Sequence, residues 1–443
     1  MYEEGNESVS DTKEAHAVNI LVIGGGGREH AIVWSLAKSS KVSKLYCAPG
    51  NAGIAKLAEC VPAGVMEFDK LVQFAKERAI DLVVVGPDDP LAAGIVDAFE
   101  AAGIPAFGPN KAAAEIEGSK IFMKSLLRKY NIPTARYETF DDYETALAYL
   151  RQQQPPIVVK ADGLAAGKGV TVARTMEEAE AALRGMMIDK VFGASGTKVV
   201  IEEFLEGQEM SILSFVDGLA VRPMVPAQDH KPVFDGDKGP NTGGMGTYTP
   251  LPHIDPAIMD EAVERIIKPT AAAMVKEGRP FRGVLFAGLM VTKDGPKVIE
   301  FNARMGDPET QVVLPRLKTD LLDIILAAMA GKLDQIAIEW SDEAAVCVIL
   351  ASEGYPGAYP KGRPIEGIDR AEAAGALVFH AGTSLADGRV VTNGGRVLGV
   401  TGLGKDLEEA RRAAYDNAER IRFDGRHYRT DIAMKALNAA KQM

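Results

Sequence analysis

NILVIGGGGREHAIVWSLAKSSKVSKLYCAPG, Asn19 to Gly50, runs from an apolar strand through four glycines into an amphipathic segment and then a second apolar strand. Strand, helix and strand in that order make a βαβ unit, whose strands lie parallel in one sheet. DKLVQFAKERAI, DLVVVGP and AGIVDAFEAAG continue the alternation. A parallel sheet offers its ligand sites at the carboxyl ends of its strands. There the chain places Gly24 to Gly27, the turn APGNAG (Ala48 to Gly53) and GPDDPL (Gly86 to Leu91).

The glycine block admits three readings. Glycines after a first strand let a phosphate approach the next helix, whose unpaired amides and dipole favour an anion. A dinucleotide fingerprint fits poorly. Counted from Gly24 or Gly25, its third glycine falls on Glu29 or His30, and the second strand ends in Cys-Ala-Pro-Gly rather than in an acid for an NAD ribose. A single phosphate and a purely structural turn both stay open.

Composition bounds the rest. A chain of 443 residues, 47% of them hydrophobic, can bury a large core and divides into about three domains by the usual length prior. Its net charge of -11, with no long basic run, argues against a sequence-independent grip on nucleic acid. Cys47, Cys60 and Cys347 have neither disulfide-framework nor zinc-site spacing, which points to a reducing compartment. Residues 1–17 are polar and acidic, without the apolar core of a signal peptide, and no later apolar run is long enough to span a bilayer. A disordered tail and a cytoplasmic protein with no membrane partner are the expectation.

Three further segments carry chemistry. IVVKADGLAAGKGVTVAR, Ile157 to Arg174, is a strand, a glycine-rich tip and a second strand. It is not a Walker A loop, because Lys168 is followed by Gly169 and a strand rather than by Ser or Thr and a helix. A tip of bare amides can fold over phosphates with Lys160 below as a point charge, although a simple flexible hairpin would look the same. KVVIEEFLEGQEMSILSFVDG reads as two strands turning at Glu206-Gly207, and AQDHKPVFDGDKGPNTGGMGTYTP as a long functional loop. In VIEFNARMGDPETQ, Val298 to Gln311, alternation sends Ile299, Phe301 and Ala303 to one face and Glu300, Asn302 and Arg304 to the other. The second face joins oxygen ligands to a cation. The region after Ala345 is α+β, with strands AAVCVILAS and ALVFHAGT, a hairpin at VTNGGRVLGVTG and a closing helix from Leu407; His380 reads as a packed strand residue.

GGREH, APGNAG, EGSK, KADGLAAGKGV, EEFLEG, QDHK, GPNTGGMG and EFNARMGDPE together resemble the glycinamide ribonucleotide synthetase family of the ATP-grasp superfamily, in its order and spacing, from about Asn19 to about Ile432. The resemblance implies an α/β fold: a pre-ATP-grasp N-domain with a parallel sheet (18–120), an ATP-grasp lid (121–195) and central domain (196–335), and a small α+β C-terminal domain (336–443). It implies ATP-dependent ligation of glycine to 5-phosphoribosylamine through glycyl phosphate, in purine biosynthesis, by a monomer or weak dimer. ATP would meet Lys120, Lys160, Gly167, Lys168, Gly169, Glu202, Glu203, Leu205 and Glu209. Mg²⁺, or Mn²⁺ in its place, would meet Glu300 and Asn302. Arg304, Lys160 and Asp229 would serve the reaction, with Arg304 on glycine's carboxylate and Asp229 on its ammonium. The phosphoribosylamine would meet Gly25, Gly26, Gly27, Asn51, Asp88, Gly243 and Gly244. Two departures stand out: FAGLMV has Gly288 and Leu289 where many such enzymes carry another metal-binding Glu, and Asp88 stands where Glu is expected.

Overall fold

A computed structural model describes residues 17–165 and 168–441, so the acidic N-terminal segment up to residue 16 and Gly167 lie outside the described residues. Strands Val18–Gly24, Val42–Pro49, Glu59–Cys60, Leu82–Val85 and Ala106–Phe107 form one parallel sheet, in the spatial order third, second, first, fourth, fifth. Ile20 to Ile23 and Leu82 to Val85 are buried on both faces, as strands between two helical layers must be.

Helix Lys120–Lys129 leads out of this domain, capped by the Ser119 hydroxyl, which accepts the Phe122 amide. The lid that follows is a four-stranded antiparallel sheet, ordered Tyr137–Phe140, Val199–Glu203, Ile157–Ala161, Val170–Ala173, packed on helices Tyr143–Leu150 and Met176–Met187. Two expectations fail here. The boundary between residues 195 and 196 would cut this sheet, because Val199–Glu203 pairs inside it on both sides. Nor do the strands around Glu206-Gly207 form a hairpin. Gln208–Asp217 pairs with Arg282–Thr292 instead, so the turn crosses from lid to central sheet.

The central sheet is antiparallel, ordered Ala220–Pro223, Gln208–Asp217, Arg282–Thr292, Gly295–Asn302. Gly288 opposes Glu300 while Leu289 opposes Val298, so Ile299 is the extra residue of a β-bulge. The segment from Ala227 to Pro250 is not one long loop. Pro232–Phe234 and Lys238–Asn241 pair as a hairpin, and Gln228–Asp229 and Gly246–Thr249 extend the C-terminal sheet beside Ala344–Ala351, Arg396–Gly404 and Leu377–His380. The hairpin expected at VTNGGRVLGVTG is absent. Arg389–Thr392 pairs with Thr383–Ala386, while Arg396–Gly404 runs between Ala344–Ala351 and Leu377–His380.

Two large apolar cores thread the N-terminal, central and C-terminal layers, whereas the lid keeps a core of its own. The lid is therefore the separately packed piece, and the cleft lies beneath it. No described helix is long and apolar enough to cross a membrane.

Candidate nucleotide and substrate cleft

A cavity of about 470 Å³ opens between the lid sheet and the central sheet and reaches the N-terminal domain at Arg28 and Asp88. Of the residues expected from sequence, Lys120, Lys160, Gly169, Glu202, Glu203, Leu205, Glu209, Asp229, Gly243, Glu300, Asn302, Arg304 and Asp88 line it. Gly25, Gly26, Gly27, Asn51, Lys168 and Gly244 do not. Lys168 is exposed, at the tip of the lid loop.

Glu300, Asn302 and Arg304 share the cleft, but the bulge alters the alternation around them. Val298 and Phe301 are buried, while Ile299, expected on the core side, lines the cleft beside Glu300. Glu117, which the sequence reading passed over within EGSK, organises this group. Its carboxylate accepts the Asn302 Nδ2 at 3.0 Å and the Ala303 amide at 2.7 Å, and pairs with the Arg304 guanidinium at 2.9 Å. Burial pushes the Glu117 pKa up, against the pull of Arg304. With its NH₂ committed to Glu117, Asn302 keeps its carbonyl oxygen for the cleft. Among the described residues the Glu300 carboxylate has no hydrogen-bond or ion-pair partner. An anionic oxygen and an amide oxygen left unused on adjoining positions suit a hard divalent cation. Among the described residues no group of three His, Cys, Asp or Glu side chains could hold a metal, so phosphate and water would complete such a shell.

The lysines are held from behind. Glu202, 5% exposed, is paired with both Lys160 and Lys124, the latter at 2.5 Å. Lys124 was not anticipated; it is fully buried and also donates to Thr134 Oγ1 at 2.7 Å, and burial lowers its pKa to about 8. Thr134 in turn donates to the Val298 carbonyl, and Lys160 donates to the Ile299 carbonyl at 3.3 Å. Lid and central sheet are thus pinned together beside Glu300. Lys120 faces the lid loop, donating to the Gly163 carbonyl at 3.3 Å, and Asp162 of that loop accepts the Ile121 amide and the Ser119 hydroxyl. Burial lowers the Lys120 pKa.

The glycine block meets side chains of its own chain. The Gly26 amide donates to Glu29 Oε2 at 2.7 Å, and Asp307, itself beside Arg396 and Arg28, accepts the Arg28 amide, so carboxylates of the chain occupy the helix N-terminus. Gly25 is needed for close approach instead: a Cβ there would lie 2.6 Å from the Gly50 carbonyl oxygen. Asn51 is likewise engaged by its own chain. It donates to the carbonyls of Gly25 and His380 and accepts the amides of Gly53 and Ile54, which saturates it. His380 is fully buried, as expected, and its amide donates to His30 Nδ1 at 2.7 Å, fastening the C-terminal domain to the first helix.

At the far end Asp229 is already paired with Lys231 at 2.7 Å. Desolvation opposes the Lys231 charge, but Asp229 first and then Glu209, Glu309 and Glu300 hold the ammonium charged and raise its pKa. Glu309, 3% exposed, lines the same end; burial first and the Asp229 charge second lift its pKa to about 7. Arg396 comes from the C-terminal domain, donating to the carbonyls of Gly243 and Asp307 and pairing with the Asp307 carboxylate at 3.3 Å. Lys231 and Glu309 sit inside the motifs QDHK and GDPE. Nothing local marks Arg396.

Profiles of the phosphoribosylglycinamide synthetase N domain, ATP-grasp (A) domain and C domain match residues 18–117, 118–310 and 345–435. A phosphoribosylamine–glycine ligase of Caldanaerobacter subterraneus is 55% identical over 94% of this chain and 99% of its own length. The chain belongs to the phosphoribosylglycinamide synthetase family. A second ligase of that name, from Vibrio vulnificus, is 52% identical over 96% of the chain and its whole length. The crystal structure of the Thermotoga maritima ligase superposes with a TM-score of 0.83 at 36% identity, covering 94% of this chain and all of that one. In this member of the phosphoribosylglycinamide synthetase family the ATP-grasp match takes in the lid and the central sheet, and the C-domain match takes in strands Ala344–Ala351, Leu377–His380 and Arg396–Gly404.

Proposed function

We propose that the cleft performs, through glycyl phosphate, the reaction to which family membership assigns this chain: ATP-dependent ligation of glycine to 5-phosphoribosylamine in purine biosynthesis. The carrying observation is the row Glu300, Asn302 and Arg304 on one wall, opposite Lys120 and Lys160 beneath a glycine-rich lid. ATP enters with its base between the apolar walls at Val158, Val172 and Met290, its adenine edge at the Glu203 to Leu205 backbone, its ribose at Glu209 and its phosphates at Lys120, Lys160 and the lid amides. Glu300 and Asn302 would hold Mg²⁺, or Mn²⁺, which neutralises phosphate charge when bound.

Arg304 binds the glycine carboxylate and aims one oxygen at the γ-phosphorus. That oxygen–phosphorus bond forms as the bridge to the β-phosphate breaks, and ADP carries away the electron pair. The phosphoribosylamine nitrogen then attacks the acyl carbon, the carbon–oxygen bond breaks, phosphate leaves, and the nitrogen gives up one proton. The lid excludes water from the acyl phosphate, so positioning and charge neutralisation suffice without a covalent nucleophile. The acceptor enters from the Arg28, Asp88 and Arg396 end, with Asp88 at its sugar and Gly243 beside it. The protein works in the cytoplasm as a monomer or weak dimer.

Glycine carrying ¹⁸O in both carboxylate oxygens tests the route. Each turnover should leave one ¹⁸O in inorganic phosphate. Phosphate free of label alongside full product would refute the acyl phosphate.

A further inference from the structure

Glycine arrives as a zwitterion, so its site must supply a cation and an anion a few ångströms apart, and a buried site must supply them in matched number. Arg304 is the cation. Asp229 suits the anion poorly, because Lys231 at 2.7 Å already neutralises it and a second ammonium would compete for the same oxygens. Glu117 is consumed by Asn302, Ala303 and Arg304, and Asp307 by Arg396. Glu309 is different. Its side chain lines the cleft, is 3% exposed, and forms no ion pair among the described residues.

The backbone has been shaped to hold it there. Gly306 leaves room for the Glu309 carboxylate to fold back over the turn: a Cβ at 306 would lie 2.5 Å from Glu309 Oε2 and 2.9 Å from the Phe286 ring. The Glu309 carbonyl accepts the amides of Val312 and Val313, which fixes the residue at the start of a helical turn. Asp229, Lys231, Arg304 and, more weakly, Arg396 are the charged groups facing it, and Asp229 and Lys231 largely cancel each other. The result is an almost dry carboxylate with no ion-pair partner among the described residues, five residues beyond Arg304. Its raised pKa of about 7 agrees with a missing positive partner.

The geometry points to Glu309 as the acid that receives the ammonium group of glycine while Arg304 receives its carboxylate, making Glu309 the residue that separates an amino acid from a hydroxy acid of the same size. This rests on the proposed seating of glycine at Arg304. When the ammonium binds, one buried charge is neutralised without displacing any existing pair. Glycolate, which offers a hydroxyl instead, leaves Glu309 uncompensated.

The experiment compares glycine with glycolate as acceptor acid in the full-length wild-type protein and Glu309→Gln, with MgATP and freshly generated phosphoribosylamine, following ADP and the mass of the amide product. The wild type should prefer glycine strongly. In Glu309→Gln the ratio of the two kcat/KM values should fall about 10- to 100-fold, through a raised glycine KM, as expected for loss of one charged hydrogen bond. The KM for ATP should stay within about twofold. An unchanged ratio, with both acids losing equally, overturns the assignment, as does a fall in kcat with the glycine KM unmoved. Should Glu309→Gln fail to fold, Glu309→Asp carries the same test: an intermediate ratio supports the assignment and a wild-type ratio overturns it. A wild type that makes no product from glycine would fail at the proposed function instead, and is told apart by that.

Discussion

Replacing Glu117 by Gln puts the organisation of the cleft under direct strain. The carboxylate serves three donors: Asn302 Nδ2 at 3.0 Å and the Arg304 guanidinium at 2.9 Å on one oxygen, and the Ala303 amide at 2.7 Å on the other. A carboxamide keeps a single acceptor oxygen, so in either orientation its NH₂ faces a donor. One buried donor left unpaired costs about 1–3 kcal/mol, and Arg304, mostly buried, also loses its anionic partner. A total near 3 kcal/mol is expected, read as a lower urea midpoint at unchanged slope. Where the amide oxygen stays on the Ala303 amide, Asn302 and Arg304 are both released, and kcat/KM should fall about 100-fold, at ~1.4 kcal/mol per decade. Glu115→Gln is the control, since Glu115 makes a half-buried pair with Arg279 outside the cleft and should shift stability by about 1 kcal/mol or less. Wild-type stability together with kcat/KM within about threefold of wild type in Glu117→Gln would refute the reasoning, since a loss that large cannot be absorbed unseen.

Glu300→Gln should keep its fold and lose most turnover at limiting Mg²⁺, recovering partly as the metal is raised; a metal titration of ADP release checks this. Lys124→Met should destabilise the protein by about 3–5 kcal/mol and raise the KM for ATP more than it lowers kcat, because buried Glu202 would be left with Lys160 alone; thermal unfolding and ATP titration read both. Glu309 has a folded pKa of about 7 against an ordinary value of 4.5, so its contribution to stability is full below 4.5 and lost as pH rises through about 7. Without substrates, wild-type thermal stability should therefore fall relative to Glu309→Gln as the buffer goes from about pH 5 to about pH 8, and a difference that is flat with pH would contradict it.

What the sequence made legible was local. The parallel sheet could be read from its apolar runs, and the cleft wall of Glu300, Asn302 and Arg304 from every second residue of one strand. Long-range pairing could not. Val199–Glu203 and Gln208–Asp217 look like a hairpin because only four residues separate them, yet each completes a different sheet. The bulge at Ile299 is set by the neighbouring strand, so alternation alone misplaced that side chain. At the glycine block the two acids that accept backbone amides, Glu29 and Asp307, lie 278 residues apart, a pairing no local reading shows. Arg396 and Lys124 act through partners far along the chain, and a lone Arg in a strand or Lys in a helix has no local signature of that.

The central claim is that this cleft joins glycine to phosphoribosylamine. It is tested most directly by measuring ADP release while each substrate is omitted in turn, with mass detection of the product. Full turnover should require ATP, glycine and freshly generated phosphoribosylamine together, with glycinamide ribonucleotide formed in step with ADP; without the amine, glycyl phosphate has no acceptor and release should stop at a bound equilibrium. Robust turnover with bicarbonate and aminoimidazole ribonucleotide, and none with glycine, would contradict the account.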